Sequence, residues 1–293
     1  MGEYRFLAYA PLVPPEDYTI FVFNEHIKAI LIIGKADLLW EDGRMSSPYK
    51  YLVLHGRKPV HEALLEGLEI ACIHLSQKAN GDIIQEIKSL AHARGIKIEI
   101  TTDNRISALS KSGQHQGIVA DLKAQRMQTL PNFLSQRNGR KHQTYVVVLD
   151  GVHNPANVGM IIRTVTAAGL DGIIVPDKGT ANINPVAIKA SAGTVFKAPI
   201  VRVDTASNAI DQLIENRFEI LGLETSGENI YQIELPERMA LVLGNETSGL
   251  SGETMKKLTK TISIPLANNI ESLNVAASAA IASYEIVRRS LAF

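Results

Sequence analysis

Three polar, Gly/Asn-rich clusters carry the residue types that could do chemistry, and each follows directly on a short apolar run. The first, LDGVHNPANVGMIIRT (149–164), opens a helix with Asn154, Pro155 and Asn157. It sets Arg163 six residues beyond Asn157 and Gly159 where a neighbouring backbone can approach closely. The second, LVLGNETSGLS (241–251), ends a strand at Gly244 and turns through Asn245, Glu246, Thr247 and Ser248. The third, ISIPLANNIESLNVAASAA (262–280), joins an Ile-Pro strand exit, a loop, and Ser272-Leu273-Asn274 at a helix start. Taken singly, each has a plain structural reading: an Asn/Pro helix start with a solvent arginine, a strand-to-helix turn with a capping serine, and a Ser272 N-cap ahead of small, tightly packed residues. What they share is a position at strand carboxyl ends, where open parallel sheets hold their ligands.

The elements that must position these clusters follow from hydrophobic period. In the second half TYVVVLD (144–150), GIIVPD (172–177), FEILGLE (218–224), ALVLGNE (240–246) and TISIPL (261–266) are β-branched runs. Helical periodicity over 155–169, 185–194, 207–216 and 272–289 lies between most of them. This alternation implies an α/β fold with a parallel sheet covered on both faces. Residues 46–122 repeat the pattern on a smaller scale: RKPVHEALLEGL reads as a helix, EIACIHL as a strand, DIIQEIKSLAHARG as a helix ended by Gly95, and IKIEIT and GIVADL as strands. Breaks at Pro131 and Asn138-Gly139 make 123–142 a linker. YTIFVF and KAILII make 1–45 a β-rich extension of unknown role.

Net charge is zero, yet it is unevenly spread. Residues 46–142 hold 14 basic against 8 acidic groups, and 123–142 hold Lys123, Arg126, Arg137, Arg140 and Lys141 with no acid. Such a stretch fits a phosphate-contacting arm and a solvated linker equally well. A composition of 45% hydrophobic and 20% charged residues excludes a collagenous, coiled-coil or largely disordered chain. Cys72 is the single cysteine, so it closes no disulfide within the chain and offers no zinc-site spacing; no metal is expected, and the cytoplasm is the expected compartment. The start lacks both the apolar core of a signal peptide and an Arg/Ser-rich transit face, and no apolar run approaches the roughly 20 residues that span a bilayer. There is no GxGxxG after a strand, no GxxxxGK[ST], no GxSxG and no HExxH. Nicotinamide oxidoreductase, P-loop NTPase, α/β-hydrolase and zincin readings thereby lose their main support.

In this order and spacing the three clusters resemble motifs 1, 2 and 3 of the SpoU (TrmH) family of the SPOUT superfamily, S-adenosylmethionine-dependent RNA ribose 2′-O-methyltransferases, over residues 143–293. The resemblance implies a C-terminal parallel-sheet domain tied in a trefoil knot, which general folding rules alone would reject. It also implies a homodimer formed through that domain, with the active site at the subunit interface. HGRKPVHEALLEG (55–67) and QHQGIVA (114–120) resemble the small RNA-binding domain of the kink-turn-binding ribosomal proteins. The middle module is then a small α/β RNA-binding domain, with Arg57, Lys58, Arg126, Arg137, Arg140 and Lys141 as RNA contacts; the alternative is an ordinary α/β module serving dimer contacts. The implied partner is large-subunit rRNA ahead of tRNA.

Carried over residue by residue, the resemblance places the S-adenosylmethionine pocket around Gly244, Ile264 and Leu273, with Leu223 as a fourth wall, and an enlarged side chain at Gly244 is expected to fill it without disturbing the fold. The isolated fragment 143–293 is expected to bind the cofactor. The reactive set falls on Asn157, Arg163, Glu246, Ser272 and Asn274. Asn268 stands where the family commonly has glycine, and Ala276 where serine is common. The family's role for the motif 1 arginine is that of base, here Arg163; because a guanidinium is hardly ever neutral, a charged clamp on the developing alkoxide is the other reading. Two rival functions stand beside the rRNA methyltransferase: a tRNA 2′-O-methyltransferase, and a non-catalytic RNA-binding or ribosome-assembly protein. Methylation of a base nitrogen is disfavoured, since the motifs match the ribose branch.

Overall fold

The structure, a computed structural model, describes residues 51–110, 113–137 and 143–290 together with the backbone of four short strands between 18 and 46. The chain divides into two units, Met1–Pro48 and Tyr49–Phe293. In the first, β1 (Tyr18–Phe21) pairs antiparallel with β2 (Leu31–Gly34), and β3 (Leu39–Glu41) with β4 (Arg44–Ser46). The described parts of the YTIFVF and KAILII runs thus pair with each other.

The second unit holds two sheets. The smaller is built from β5 (Tyr51–His55), α1 (Arg57–Leu65), β6 (Ile70–Ser76), α2 (Asp82–Ala93), β7 (Lys97–Thr101), α3 (Asp103–Ser110) and β8 (Ile118–Lys123), with strand order β5-β8-β6-β7. β8 runs antiparallel to both its neighbours, and β6 parallel to β7. Leu52, Leu54, Ile73, Leu75, Ala120 and Leu122 turn to one face, where Val60 and Leu64 of α1 and Ile84 and Ile87 of α2 cover them. Sequence periodicity misses β5, which is only five residues long, and α3, whose DNRISALS has too weak an apolar face to be read as a helix.

The larger sheet contains β9 (Gln128–Thr129), β10 (Thr144–Leu149), β11 (Gly172–Pro176), β12 (Ile200–Val203), β13 (Glu219–Asn229), β14 (Arg238–Leu243) and β15 (Lys260–Ser263) in the order β15-β13-β14-β10-β11-β12-β9. Every pairing in it is parallel. The strands are buried on both faces, which is why they read as unbroken apolar runs rather than alternations. Tyr145, Val147 and Leu149 of β10 pack with α5 (Pro155–Ala168) and α9 (Val275–Ser290), while Val146 and Val148 pack with α4 (Leu130–Arg137) and α7 (Ala206–Glu215). Two short helices, α6 (Pro185–Ala190) and α8 (Gly252–Met255), complete the layers. Gly159 of α5 is required by packing, because a Cβ there would run into the Ala187 carbonyl oxygen of α6.

Three sequence expectations need correction. Over 123–137, the described part of the supposed linker 123–142, the chain is not free, because β9 forms the edge of the large sheet against β12 and α4 buries Leu130, Phe133 and Leu134 beneath it. A fragment beginning at 143 would strip both from the core. The helix expected over 185–194 stops at Ala190, where the chain turns through Gly193 at φ 74 into a short 3₁₀ turn, Thr194–Phe196. Finally, β12 escapes the periodicity reading, being four residues long and broken in pattern by Arg202.

The C-terminal helix is anchored by an ion-pair cluster. Glu285, 7% exposed, accepts from Arg288 Nε and Nη2 at 2.9 Å each and from Arg289 Nε at 2.6 Å, while Arg289 also donates to the Tyr231 and Ile233 carbonyls. The Arg288 hydrogen bond, reinforced by that of Arg289, holds the Glu285 carboxyl below its ordinary value of 4.5. A carboxyl whose pKa is lowered on folding stabilises the protein above its unfolded-state pKa and loses that contribution as pH falls through the folded one. Glu285→Gln should therefore lose about 1–3 kcal/mol of stability at neutral pH. In urea denaturation at a series of pH values the deficit should shrink below pH 4.5; a pH-independent deficit would assign the loss to packing instead.

Candidate active site

The chain runs β10, β11 and β12 to one side of the large sheet, then crosses to place β14 against the other edge of β10. The carboxyl ends of β10 and β14 therefore flank the point where strand order reverses, the place a ligand crevice is expected. After β10, Asn154 caps α5 by accepting from Ala156 N at 2.9 Å, with Pro155 preset at the first helical position. Asn157 follows in the first turn and is 4% exposed.

The loop after β14 is a tight polar turn. Asn245 N donates to Gly249 O at 2.9 Å and Gly249 N returns a bond to Asn245 O at 3.0 Å, while Asn245 Oδ1 accepts from Thr247 N and Ser248 N. This turn is tied to the first loop, since Asn245 Nδ2 donates to Gly151 O at 2.9 Å and the buried Asp150 accepts from Ser251 N at 2.8 Å. Glu224, two residues beyond the last β13–β14 pair, accepts from Leu250 N at 3.2 Å. A Cβ on Gly244 would sit 2.5 Å from the Gly249 carbonyl carbon and 2.7 Å from Leu250 N. An enlarged residue there would break the turn itself, so the expectation of a filled pocket in an intact fold is corrected.

The third loop leaves β15, crosses 264–274 and enters α9. Asn268 and Asn269 adopt φ of 57 and 55, the left-handed region that glycine occupies freely and asparagine tolerates best among the other residues. Asparagine at 268 therefore preserves the turn that a glycine would make. The cap of α9 is Asn274 and not Ser272: Asn274 Oδ1 accepts from Ala276 N at 2.9 Å and Ala277 N at 3.4 Å. Ser272 is left in the loop, exposed.

The three loops meet in one hydrogen-bonded chain. Asn157 Nδ2 donates to Glu246 Oε1, and Asn157 Oδ1 accepts from Asn274 Nδ2 at 3.2 Å. On the Glu246 side lies a cavity of about 480 Å³. Its walls include Leu223, Leu243, Gly244, Ile264, Leu266 and Leu273, with Glu224, Glu271 and Ser272 as polar groups. All four residues expected around the cofactor thus line one cavity. On the Asn274 side a second cavity of about 430 Å³ is lined by Met160, Arg163, Thr164, Ala190, Asn274, Ala276 and Ala277. Arg163 does not touch the Asn157 chain, because six residues place it about 120° around α5 from Asn157. It is exposed and makes no hydrogen bond or ion pair among the described residues. Sequence reasoning misses Asp150 and Glu224, whose roles lie in contacts to backbone groups 101 and 26 residues away.

The expected RNA contacts separate into three kinds. Arg57 pins the loops of the small sheet, donating from Nε to Gln116 O at 3.2 Å and from Nη1 to Asn80 O at 3.0 Å. The stretches 55–67 and 114–120 are thereby adjacent. Arg137 is committed internally, paired with Asp171 and lying over the Phe133 ring at 5.3 Å. Lys58 and Arg126 are exposed and without an ion pair among the described residues, while Arg140 and Lys141 lie outside those residues.

The sequence model of the SpoU rRNA Methylase family matches residues 144–284, and that of the RNA 2′-O ribose methyltransferase substrate-binding domain matches 53–128. A TrmH family tRNA/rRNA methyltransferase of Staphylococcus saprophyticus is 30% identical over 239 residues, 81% of this chain and 96% of that protein. One from Staphylococcus aureus is 30% identical over 238 residues with the same coverage of both. Among solved structures, an rRNA methyltransferase from Sinorhizobium meliloti shares 26% identity over 84% of this chain and 89% of its own, with a TM-score of 0.54. The SpoU methyltransferase AviRb from Streptomyces viridochromogenes, in complex with AdoMet, has the same fold, with a TM-score of 0.56 at 22% identity over 83% of this chain and 92% of its own. No helix of the described residues is long and apolar enough to cross a membrane.

Proposed function

The chain belongs to the SpoU (TrmH) family of RNA methyltransferases, and we propose on that footing that it methylates a ribose 2′-hydroxyl of large-subunit rRNA as a homodimer, with S-adenosylmethionine as methyl donor. The observation that carries this reading is the Glu246–Asn157–Asn274 chain standing between two cavities, one suited to the cofactor and the other holding an uncommitted guanidinium.

The first cavity fits the cofactor in size and chemistry. Ligand pockets run from about 300 to 1,000 Å³, and this one combines leucine and isoleucine walls, which suit an adenine ring, with carboxylates that suit a sulfonium and an ammonium. Leu223, Gly244, Ile264 and Leu273 would hold the adenosine part, and Glu224 and Glu271 would face the charged part. The donor supplies an activated methyl group, so this chain's task is to place the acceptor and stabilise the charge it develops. Arg163 would fork toward O2′ and an adjoining RNA phosphate and stabilise the negative charge that builds on O2′ as the 2′-hydroxyl proton passes to water and the methyl group to O2′. Asn157 fixes Glu246 and Asn274 on either side of it. Asn274 has Nδ2 committed to Asn157 and Oδ1 to the α9 cap, so its own part is to hold the third loop in register, and Ser272 is left to hydrogen-bond the nucleotide. A second copy would close the open side of the Arg163 cavity.

The small sheet would deliver the RNA. Its exposed cations give a separable expectation: alanine at both Lys58 and Arg126 should weaken RNA binding and lower its salt slope by about 0.7–0.9 for each phosphate that is no longer neutralised. Arg137→Ala should instead cost about 1–2 kcal/mol of stability with the slope unchanged, because its charge is spent on Asp171 and Phe133. Filter-binding titrations at several salt concentrations separate the two. The rRNA assignment is tested by mass-spectrometric mapping of ribose methylation in cells with and without the gene. A mark missing from large-subunit rRNA supports it, and a mark missing from tRNA replaces it with the tRNA reading, which the names of the Staphylococcus relatives leave equally open.

A further inference from the structure

The small sheet carries a group of metal-ligating side chains that takes no part in the proposed reaction. β6 bulges against β8 between Ile70 and Cys72, so that Ile70 and Ile73 both reach the core although three residues apart. The bulge leaves Cys72 and His74 together on the other face of the strand. Parallel pairing then sets His74 opposite Glu99 of β7, and antiparallel pairing sets Cys72 opposite Asp121 of β8. Ligand atoms of Cys72, His74 and Glu99 all lie within 4.8 Å of one another, the one such grouping of three among the described residues.

We propose that Cys72, His74 and Glu99 bind a thiophilic divalent cation, Zn²⁺ in preference to Mg²⁺ or Ca²⁺, with Asp121 as the outer partner of His74. His74 Nδ1 stands 3.2 Å from Glu99 Oε2, close to the separation of about 3.3 Å between a nitrogen and an oxygen that share a tetrahedral zinc ion. His74 Nε2 meets Asp121 Oδ2 at 2.8 Å, the carboxylate–histidine arrangement that fixes the ring so that its other nitrogen faces the metal. Lys97 Nζ holds Glu99 Oε1 at 2.5 Å and leaves Oε2 for the cation. A thiolate and a carboxylate supply two negative charges, matched to a divalent ion, and the sulfur selects zinc over the hard cations that take oxygen alone. Cys72 Sγ lies within 4.8 Å of the other two ligand atoms, so a movement of at most roughly 1 Å brings it to bonding distance. Three protein ligands leave a fourth position toward solvent, where Glu99 is 43% exposed.

The competing account is an ion-pair ladder in which His74 simply bridges Glu99 and Asp121. Titrating the reduced full-length protein with Co²⁺, a spectroscopic stand-in for Zn²⁺, separates the two. The expected result is a saturable near-ultraviolet thiolate-to-cobalt charge-transfer band at one ion per chain, abolished by equimolar Zn²⁺ and by Cys72→Ser but not by excess Mg²⁺. Asp121→Asn should weaken binding by about 10–100-fold, and Glu99→Gln by at least about 10-fold. Glu99 is well exposed, so its variant decides the matter even if Cys72→Ser fails to fold. No band in the wild type, or a band of unchanged affinity in Glu99→Gln, overturns the site and leaves the ladder.

Discussion

Arg163→Lys should lower single-turnover methylation by about 10²–10³ at every pH from about 7 to 10, in parallel with the wild-type profile. The guanidinium is exposed, carries no partner among the described residues and lines the cavity beside Asn274. A clamp needs both charge and a planar fork of donors; lysine keeps the first and loses the second. If the arginine worked as a proton acceptor, the outcome would differ in shape, because an ammonium loses its proton near pH 10 and activity would climb steeply toward wild type at the alkaline end. A rising profile therefore refutes the clamp. Full activity in Arg163→Ala would refute both readings and reopen the placement of the acceptor.

Asn157→Ala should lower the methylation rate about 100-fold while leaving the cofactor Kd within a factor of about two or three. The asparagine is absent from the walls of the 480 Å³ cavity, so binding there does not depend on it directly. It does hold Glu246 and Asn274 through its two amide atoms, and freeing both blurs the geometry that the reaction needs. Asn157→Asp gives a second reading. It keeps the shape but turns the donor facing Glu246 into a repelling carboxylate, so its rate should fall at least as far as that of the alanine variant. Stability should drop by about 1–2 kcal/mol in the alanine variant, since Glu246 is exposed and its charge is not stranded, and by more in the aspartate variant, whose new carboxylate is buried beside Glu246. A tenfold or larger loss of cofactor affinity with an unchanged saturated rate would show that the asparagine shapes the cofactor cavity instead.

What can be read from sequence follows burial closely. The strands β10, β11 and β14 are legible because burial on both faces writes an unbroken apolar run, and α5 because Asn154-Pro155 opens it and Gly169, at φ 81, closes it. β9 and α4 are not, because a two-residue edge strand has no period and the arginines around α4 make the stretch look like solvated chain. In the site, the residues that meet in the Asn157 chain are legible from three clusters taken in order, yet their mutual hydrogen bonds span 89 and 117 residues and belong to topology. Ser272 reads as a helix cap because serine is a common cap; Asn274 takes that position and keeps its amide nitrogen for Asn157. The thiol, imidazole and carboxylate of the small sheet are invisible as a group, since only strand register and one bulge bring them together.

The most direct test of the central claim is to incubate the purified protein with S-adenosylmethionine carrying an isotopic methyl label and with deproteinised large-subunit rRNA or tRNA. Each RNA is then digested to nucleosides for mass spectrometry. Label is expected on the ribose of one nucleotide of large-subunit rRNA, with none on any base, and that signal should be lost in Arg163→Ala. Label on a base nitrogen, or no transfer to any RNA by a preparation that binds the cofactor, would contradict that claim.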